Sequence, residues 1–328
     1  MNQRVGGGIL DLTTLLDPQL TPAVTMATLG DIDAESLATM RSRAPVEAEL
    51  SDAVTRTEFM VKENPNVTVR VHSPVDAIGP LPCVYSIHAS RYILGDFQLD
   101  DTPFDGWCGA VGLVGVSVEC RLAPETPYPG PIEDCYCGLL WAYQHAEELG
   151  IDGGRLGVHG ISAGGGLAAA LALLARDRGQ VPLAFQLLDC PMLDDRQITF
   201  SSQLDGLCVW TKKTNAFAWR AYLGDLYGGA DVPAYAAAAR ATDLAGLPPA
   251  YVSVGAIDGF HDEDVDYAVR PNHAIVATEL HVYPGAPARP PAGSRLGRGP
   301  AGVPRQDRVA GAPAARETVS VLTRGGIR

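Results

Sequence analysis

The five residues Gly160–Gly164, with the sequence Gly-Ile-Ser-Ala-Gly, constrain this chain more than any other feature. The preceding run 155–159 has the character of a short strand, and the following run 167–175 is almost wholly small and apolar, as in a buried helix. A Gly-x-Ser-x-Gly between strand and helix forces a tight turn and lifts the serine hydroxyl clear of the sheet edge. The pattern predicts Ser162 as a nucleophile. The alternative is a glycine-rich turn that only leads into a buried helix.

Length and charge narrow the class of protein. The chain has 328 residues, of which 46% are hydrophobic and 19% charged, so we expect one large globular domain or one domain with a lid. A net charge of −13, without a basic patch interleaved with aromatics, argues against a nucleic-acid partner. Residues 1–16 lack the basic and apolar regions of a signal peptide, and no run of eighteen apolar residues occurs. We therefore expect a cytoplasmic protein without a membrane span.

The cysteines and acidic clusters do not predict a metal site. Seven cysteines lie scattered among apolar neighbours, which is more typical of reduced, buried thiols than of a disulfide framework. Cys135 and Cys137 are two residues apart in a helical pattern and face different directions, a poor geometry for zinc. The acidic run 262–264 fits either a cation site or the start of a helix, whose dipole favours acids. We expect no metal.

Strand and helix patterns alternate along most of the chain. A helical apolar pattern begins at Pro131 and ends near Gly150. Apolar or alternating runs typical of strands occupy 66–73, 82–88, 111–119, 155–159, 183–189, 249–255 and 279–283. Strands separated by helices predict right-handed crossovers and a mostly parallel sheet flanked by helices.

Two stretches depart from this alternation. Residues 1–50 have the pattern of polar helical segments, and 194–235 contain Trp210 and Trp219 but no strand pattern. Together they predict a helical cap over the carboxyl edge of the sheet, where ligands bind in such folds. The aromatic residues of the cap suit its own core better than substrate contact. The predicted organisation is an N-terminal cap segment (1–50), a main domain (51–284) with 194–235 inserted as a cap, and a tail (285–328).

Several motifs together resemble the hormone-sensitive lipase family of α/β-hydrolases. They are Cys120–Glu125, Pro129–Pro131, His159–Gly165, Leu247–Tyr251 with Asp258, and Glu279–Gly285. The resemblance covers about residues 50–285. It implies an α/β-hydrolase fold, hydrolysis of small acyl esters by a Ser-Asp-His triad in that chain order, and no cofactor.

The resemblance assigns roles to individual residues. Ser162 would be the nucleophile and Asp258 the carboxylate that orients a histidine. The residue pattern agrees, because Asp258 follows the predicted strand 251–255 and should emerge at the same sheet edge as Ser162. The alternative for Asp258 is a helix-capping role. The backbone N–H groups of Ala163, Ala89 and Ser90 would form the oxyanion hole.

The oxyanion loop departs from the family pattern. The family has His-Gly-Gly-Gly where this chain has His88-Ala89-Ser90-Arg91. Glycines let bare N–H groups turn toward the substrate oxygen, so Ala89 and Ser90 can donate only if their backbone angles tolerate a Cβ. His88 keeps its family position, where we expect it to brace the backbone. Arg91 is placed to enter the pocket.

The second departure concerns the triad histidine. Ala288 stands where the family places it, and no histidine follows His281. His281 has the pattern of a structural residue, and His261 would need a different triad geometry. His159 should point away from the hydroxyl of Ser162 because side chains alternate along a strand.

The tail 285–328 has an unusual composition. It contains eight arginines against two acids and is rich in Pro, Gly and Ala, so it cannot bury enough apolar surface to fold alone. Its abrupt start within a motif is typical of a reading-frame change in a GC-rich gene. We therefore expect a carboxylesterase with impaired activity. The alternative is an inactive protein of the same fold that binds a small ligand; whether the chain forms a homo-oligomer stays open.

Overall fold

The computed structural model describes residues 2–5, 8–21, 30–42, 49–63, 66–204 and 210–287. Ala288 and the rest of the tail lie outside the described residues. The strands are β1 (Asn2–Val5), β2 (Gly8–Asp11), β3 (Val54–Glu63), β4 (Asn66–Pro74), β5 (Leu81–Ile87), β6 (Val114–Glu119), β7 (Ile151–Ile161), β8 (Gln186–Asp189), β9 (Ala250–Gly255) and β10 (Thr278–Tyr283).

Six α-helices are described. They are α1 (Ala34–Arg41), α2 (Asp101–Val111), α3 (Gly130–Gln144), α4 (Ala163–Arg178), α5 (Lys212–Leu223) and α6 (His261–His273). Short 3₁₀ turns occupy Leu12–Leu15, Phe97–Asp100, Ser201–Gln203, Gly224–Leu226 and Ala238–Arg240. No helix among the described residues is both long and apolar enough to cross a membrane.

The main sheet has eight strands in the order β10-β9-β8-β7-β5-β6-β4-β3. All pairings from β6 through β5, β7, β8 and β9 to β10 are parallel, whereas β4 runs antiparallel to both of its neighbours. The mostly parallel sheet predicted from the sequence is confirmed. Parallel strands end at a common edge, so the segments that follow β5, β7, β8 and β9 converge there.

Helices cover both faces of this sheet. On β5, Tyr85 belongs to a large buried cluster that contains residues of α3 and α4, such as Leu139 and Leu171. The adjacent residue, Val84, belongs to a second cluster with Phe104 of α2. Because successive side chains on a strand point to opposite faces, α3 and α4 lie on one face and α2 on the other.

Three sequence-based assignments were wrong. Residues 1–50 are not helical throughout, because β1 and β2 pair as an antiparallel hairpin. Strand β3 was not predicted; it lies at the sheet edge, where exposed charged residues interrupt the apolar pattern. Val111 does not begin a strand but ends α2, and β6 starts three residues later. Short apolar runs do not distinguish strand from buried helix.

The N-terminal segment packs against the inserted segment. The backbone N–H of Ile32 donates to Thr214 Oγ1 at 3.0 Å, and Thr211 Oγ1 donates to Asp31 Oδ1 at 2.7 Å. Arg41 of α1 then reaches the main domain, where its guanidinium donates to the carbonyl oxygens of Ile93 and Ala123. The two segments that depart from the sheet pattern are thus in direct contact, although the domain boundaries themselves stay a prediction.

The packing of α2 on the sheet predicts a stability difference between two glycine variants. A Cβ at Gly115 of β6 would lie 2.3 Å from Cδ1 of the buried Phe104, whereas a Cβ at Gly109 of α2 meets nothing within 4 Å. Gly115→Ala should lower the free energy of unfolding by about 1–3 kcal/mol through overpacking. Gly109→Ala should raise it by about 0.5–1 kcal/mol because alanine favours a helix interior. Denaturant titration of both variants measures this; equal stability would mean that α2 does not pack on β6 as described.

Candidate active site

Ser162 lies in a sharp turn between β7 and α4. Its backbone angles are φ 58 and ψ −122, a region that a residue with a Cβ seldom adopts. A Cβ at Gly160 would lie 2.1 Å from the carbonyl oxygen of Gly164, and a Cβ at Gly164 would lie 2.1 Å from that of Ile87. Both clashes involve backbone atoms and cannot be relieved by side-chain rotation. The tight turn predicted from the pentapeptide is present, and only glycine fits on either side of the serine.

Backbone hydrogen bonds hold this turn against the neighbouring strand. The N–H of Ser162 donates to the carbonyl oxygen of Asp189, the last residue of β8, at 2.9 Å. The carbonyl oxygen of Ser162 accepts from the N–H groups of Gly166 at 3.0 Å and Met192 at 2.9 Å. Strain at one residue, worth about 1–3 kcal/mol, persists when its surroundings over-determine the conformation. These bonds provide that constraint.

A cavity of about 330 Å³ opens at the carboxyl edge of the sheet and contains both Ser162 and Asp258. Its other described lining residues are Ala89, Arg91, Leu94, Gly95, Leu99, Ile161, Cys190, Trp210, Phe260 and Pro287. The walls come from the segments after β5, β7, β8 and β9, and Trp210 is contributed by the inserted segment. No described residue of 1–50 lines it.

Asp258 is buried at the cavity wall. Its Oδ1 accepts a hydrogen bond from the N–H of Phe260 at 3.0 Å, and no described cation pairs with it. Burial raises the pKa of its carboxyl to about 7. The N–H groups of Phe260 and Gly259 oppose this shift, because their hydrogen bonds favour the ionised form. Helix α6 begins at His261, directly after the residue whose N–H donates to Asp258, so this bond also fits the helix-capping alternative for Asp258.

No histidine accompanies these two residues. All seven histidines of the chain lie within the described residues, and none lines the cavity. His281 contacts Glu279 and stacks on Tyr251, and the Nδ1 of His261 lies 2.8 Å from Asp262 Oδ1. The cavity therefore holds a serine and a carboxyl group without a described imidazole between them.

A second Ser-His-Asp arrangement lies inside the sheet. The Oγ of Ser86 is 3.0 Å from His159 Nδ1, and His159 Nε2 is 3.5 Å from Asp189 Oδ2, an ion-pair distance without hydrogen-bond geometry. Asp189 Oδ1 also accepts from Ser253 Oγ at 2.5 Å. Ser86 and His159 are only 1% and 2% exposed, so an ester carbonyl cannot reach them. This network ties β5, β7, β8 and β9 together and is a structural feature, and His159 is not among the described residues that line the cavity of Ser162.

The oxyanion loop accommodates its non-glycine residues without strain at the predicted donors. Ala89 and Ser90 are absent from the residues with positive φ, and the strain falls on Arg91 (φ 52) and Tyr92 (φ 62) instead. No described residue accepts a hydrogen bond from the N–H of Ala89, Ser90 or Ala163. Of the three residues, Ala89 lines the cavity, whereas Ser90 and Ala163 are buried and are not among its described lining residues, so the oxyanion hole stays a prediction.

The side chains behind the loop support it. The carbonyl oxygen of Ser90 accepts hydrogen bonds from the N–H groups of Ile93 at 2.9 Å and Leu94 at 2.7 Å. The hydroxyl oxygen of Ser90 accepts one from the N–H of Tyr92. His88 is buried beneath the loop, where a Cβ at Gly95 would lie 3.2 Å from its Nδ1. Neither ring nitrogen of His88 has a hydrogen-bond partner in the backbone of the described residues, so its bracing role stays a prediction.

Sequence reasoning missed part of the cavity wall. Leu94, Leu99 and Phe260 were not singled out, although the first two follow the oxyanion loop directly and Phe260 follows Asp258. Proximity to those motifs was the available signal. Cys190 was also missed, and nothing in its sequence surroundings marks it.

A family model described as alpha/beta hydrolase fold matches residues 84–288. The chain therefore belongs to the α/β-hydrolase family, which confirms the resemblance inferred from the motifs. The fold agrees, since an eight-stranded, mostly parallel sheet flanked by helices carries the site at its carboxyl edge.

The chain is similar to several esterases. Esterase LipI of Mycobacterium tuberculosis (strain ATCC 25618 / H37Rv) is 39% identical over 203 residues, which are 61% of this chain and 62% of that protein. Carboxylesterase NlhH of the same strain is 36% identical over 222 residues, 67% of this chain and 69% of that protein. The match thus spans less than two thirds of the first relative. Among solved structures, bacterial heroin esterase superimposes with a TM-score of 0.76 at 36% identity, covering 97% of this chain and 100% of that one.

The raised pKa of Asp258 predicts a pH-dependent stability. An aspartate in the unfolded chain has a pKa of about 3.9. Between about pH 3.9 and pH 7, Asp258 is therefore protonated in the folded protein but ionised in the unfolded chain, and the folded protein loses stability as pH rises through this window. Asp258→Asn removes the titration. Its free energy of unfolding relative to wild type should therefore grow, by on the order of 4 kcal/mol from about pH 4 to about pH 8.

Denaturant titration across this pH range checks the prediction. Asp152→Asn is the control, because Arg155 lowers the pKa of Asp152, so that above about pH 5 its carboxyl is ionised in both the folded and the unfolded chain and the difference in stability from wild type should stay nearly constant. A difference between Asp258→Asn and wild type that does not vary with pH would show that Asp258 is ionised throughout.

Proposed function

We propose that this chain is a carboxylesterase that hydrolyses small acyl esters with Ser162 as the nucleophile. The observation that carries the proposal is that Ser162, in its strained turn, shares one cavity with Asp258 at the carboxyl edge of the sheet. The names of the relatives, which are esterases and carboxylesterases, support the same reaction class.

The reaction proceeds through an acyl-enzyme. The Oγ of Ser162 attacks the ester carbonyl carbon, the alcohol leaves with a proton, and water then hydrolyses the acyl-serine to release the acid and restore the hydroxyl. The carbonyl oxygen gains negative charge in both steps. The N–H groups of Ala163, Ala89 and Ser90 are the proposed donors to that oxygen, and each such donor contributes about 2.7–4 kcal/mol in enzymes where one has been removed.

The site lacks its general base. In the family, Asp258 would hold a histidine that takes the serine proton. Here burial raises the pKa of the Asp258 carboxyl, and no described imidazole or cation lies beside it to favour the ionised form. Ser162 must then attack as a neutral alcohol, which is a weak nucleophile.

The absence of a histidine beside Asp258 also favours a second candidate function. A protein that keeps the cavity but not the base could bind a small ligand without turnover. The esterase relatives favour the catalytic function over this alternative. The cytoplasmic location, the cap boundaries, the absence of nucleic-acid partners and any homo-oligomer stay predictions.

The proposal predicts weak esterase activity that one substitution strengthens. On an aryl acetate, wild type should turn over on the order of 10⁴-fold or more below the enzyme median of about 10 s⁻¹, because removal of a triad member has such effects. Pro287 lines the cavity, so the next residue in the chain is the natural place for the base. Ala288→His should raise kcat, and steady-state kinetics measures the gain.

Ser162→Ala, made in wild type and in the Ala288→His background, is the control and should abolish both activities. Replacing the tail from Pro287 with a Phe-His-Gly continuation and a closing helix should raise the melting temperature as well. A gain of stability without activity would place the defect in the oxyanion loop. Wild-type turnover near the median would contradict the absence of a base and require another histidine in that role. No gain in either repaired form would contradict the esterase function and favour the ligand-binding alternative.

A further inference from the structure

The cavity contains a cation for which the described chain provides no anion. Arg91 lines it together with Ser162. Its guanidinium makes no ion pair, within 4.0 Å, with any described carboxylate. The guanidinium does make a cation–π interaction with Trp210, in which Cζ lies 5.2 Å from the ring centroid. A guanidinium remains protonated at any physiological pH, so the cavity is positively charged at this point.

The backbone and the aromatic ring hold Arg91 in place. Arg91 and Tyr92 both have positive φ, and the bonds to Ser90 described above close the turn around them. The indole N–H of Trp210 donates to Asn215 Oδ1 at 3.0 Å, which fixes the ring against which the guanidinium lies. The side chain is therefore positioned before a ligand arrives, which lowers the entropy that binding must overcome.

Arg91 acts separately from Asp258. Burial alone lowers the pKa of Arg91, and no carboxylate contributes to it; likewise Arg91 is absent from the groups that shift the pKa of Asp258. A cation withdrawn from water without a counter-ion is unfavourable, so an anionic group on a ligand would gain a charge-assisted, forked hydrogen bond there.

We propose that Arg91 binds a carboxylate of the substrate, so that the esters cleaved at Ser162 are monoesters of small dicarboxylic acids. The inference rests on the proposed esterase function and names its substrate class. A singly charged carboxylate matches the single guanidinium, whereas a phosphate dianion would keep an uncompensated charge among the apolar walls formed by Leu94, Leu99 and Phe260. The cavity volume of about 330 Å³ suits a ligand of this size.

Binding of two uncleavable amides tests the proposal without turnover. Succinanilic acid carries a terminal carboxylate where butyranilide carries a methyl group, and titration calorimetry measures both dissociation constants. Wild type should bind succinanilic acid at least about tenfold more tightly, as expected for a hydrogen bond to a charged group. Arg91→Gln should abolish this preference, and Arg91→Lys should keep part of it, since lysine retains the charge but not the fork.

Arg220→Gln is the matched control. Its guanidinium also lies 5.2 Å from an aromatic ring, that of Tyr227, but it does not line the cavity, and the variant should bind both amides like wild type. Equal binding of the two amides by wild type, or a preference that survives in Arg91→Gln, would overturn the proposal. Competition by inorganic phosphate as strong as that of succinanilic acid would overturn the choice of a carboxylate.

Asp205 lies outside the described residues, five positions before Trp210. An unchanged preference in Asp205→Asn supports the proposal. A preference that appears only in Asp205→Asn would overturn it, because Arg91 would then be neutralised by its own chain.

A kinetic arm separates this proposal from the esterase function. In the Ala288→His background, Arg91→Gln should raise KM for an aryl hemisuccinate at least about tenfold and leave KM for an aryl butyrate unchanged. Selective amide binding without any Ser162-dependent hydrolysis would support the carboxylate site and reject the esterase function. Hydrolysis of both esters with no effect of Arg91→Gln would support the esterase function and reject the carboxylate site.

Discussion

The close approach of two backbone segments at Gly160 and Gly164 is the constraint on which the site depends. Each glycine Cα lies against a carbonyl group, so the chain can reverse from β7 into α4 within a few residues. That reversal forces Ser162 into positive φ and directs it into the cavity, while backbone hydrogen bonds to Asp189 and Met192 hold it there. A larger residue at either glycine would displace the serine from Asp258 and from the proposed oxyanion donors.

Four strand ends bring Ser162, Asp258, the loop after β5 and the cavity wall to one place. Under the proposed function this site has a nucleophile and a carboxyl group but, among the described residues, no histidine between them. Burial raises the pKa of Asp258, and no described cation beside it favours the ionised form. The buried Ser86-His159-Asp189 network shows that residue types alone do not identify a triad: it has the right groups but no access to substrate.

The sequence predicted the parallel core and the common location of Ser162 and Asp258 because each has a local signature: β-branched runs, a glycine-flanked serine, and an aspartate just after a strand. It failed for β1 and β2, which form a hairpin of strands only four residues long, and for β3, which lies at the exposed edge of the sheet, because neither case produces a clear apolar alternation in the sequence. It indicated that Arg91 could enter the pocket, but not that Trp210, more than a hundred residues away, supports it. Nor could it show that Arg91 and Tyr92, and not Ala89 and Ser90, adopt positive φ, because that depends on the hydrogen bonds of the folded loop.

Rescue by free imidazole tests most directly whether the site lacks only its base. Imidazole is small enough for the 330 Å³ cavity and would supply the missing proton acceptor beside Asp258. The account predicts that imidazole raises the turnover of an aryl acetate by wild type in a saturable way, above the rate with Ser162→Ala, which reports the reaction in solution. Equal imidazole dependence in wild type and Ser162→Ala would contradict the account, because imidazole would then not act by deprotonating Ser162.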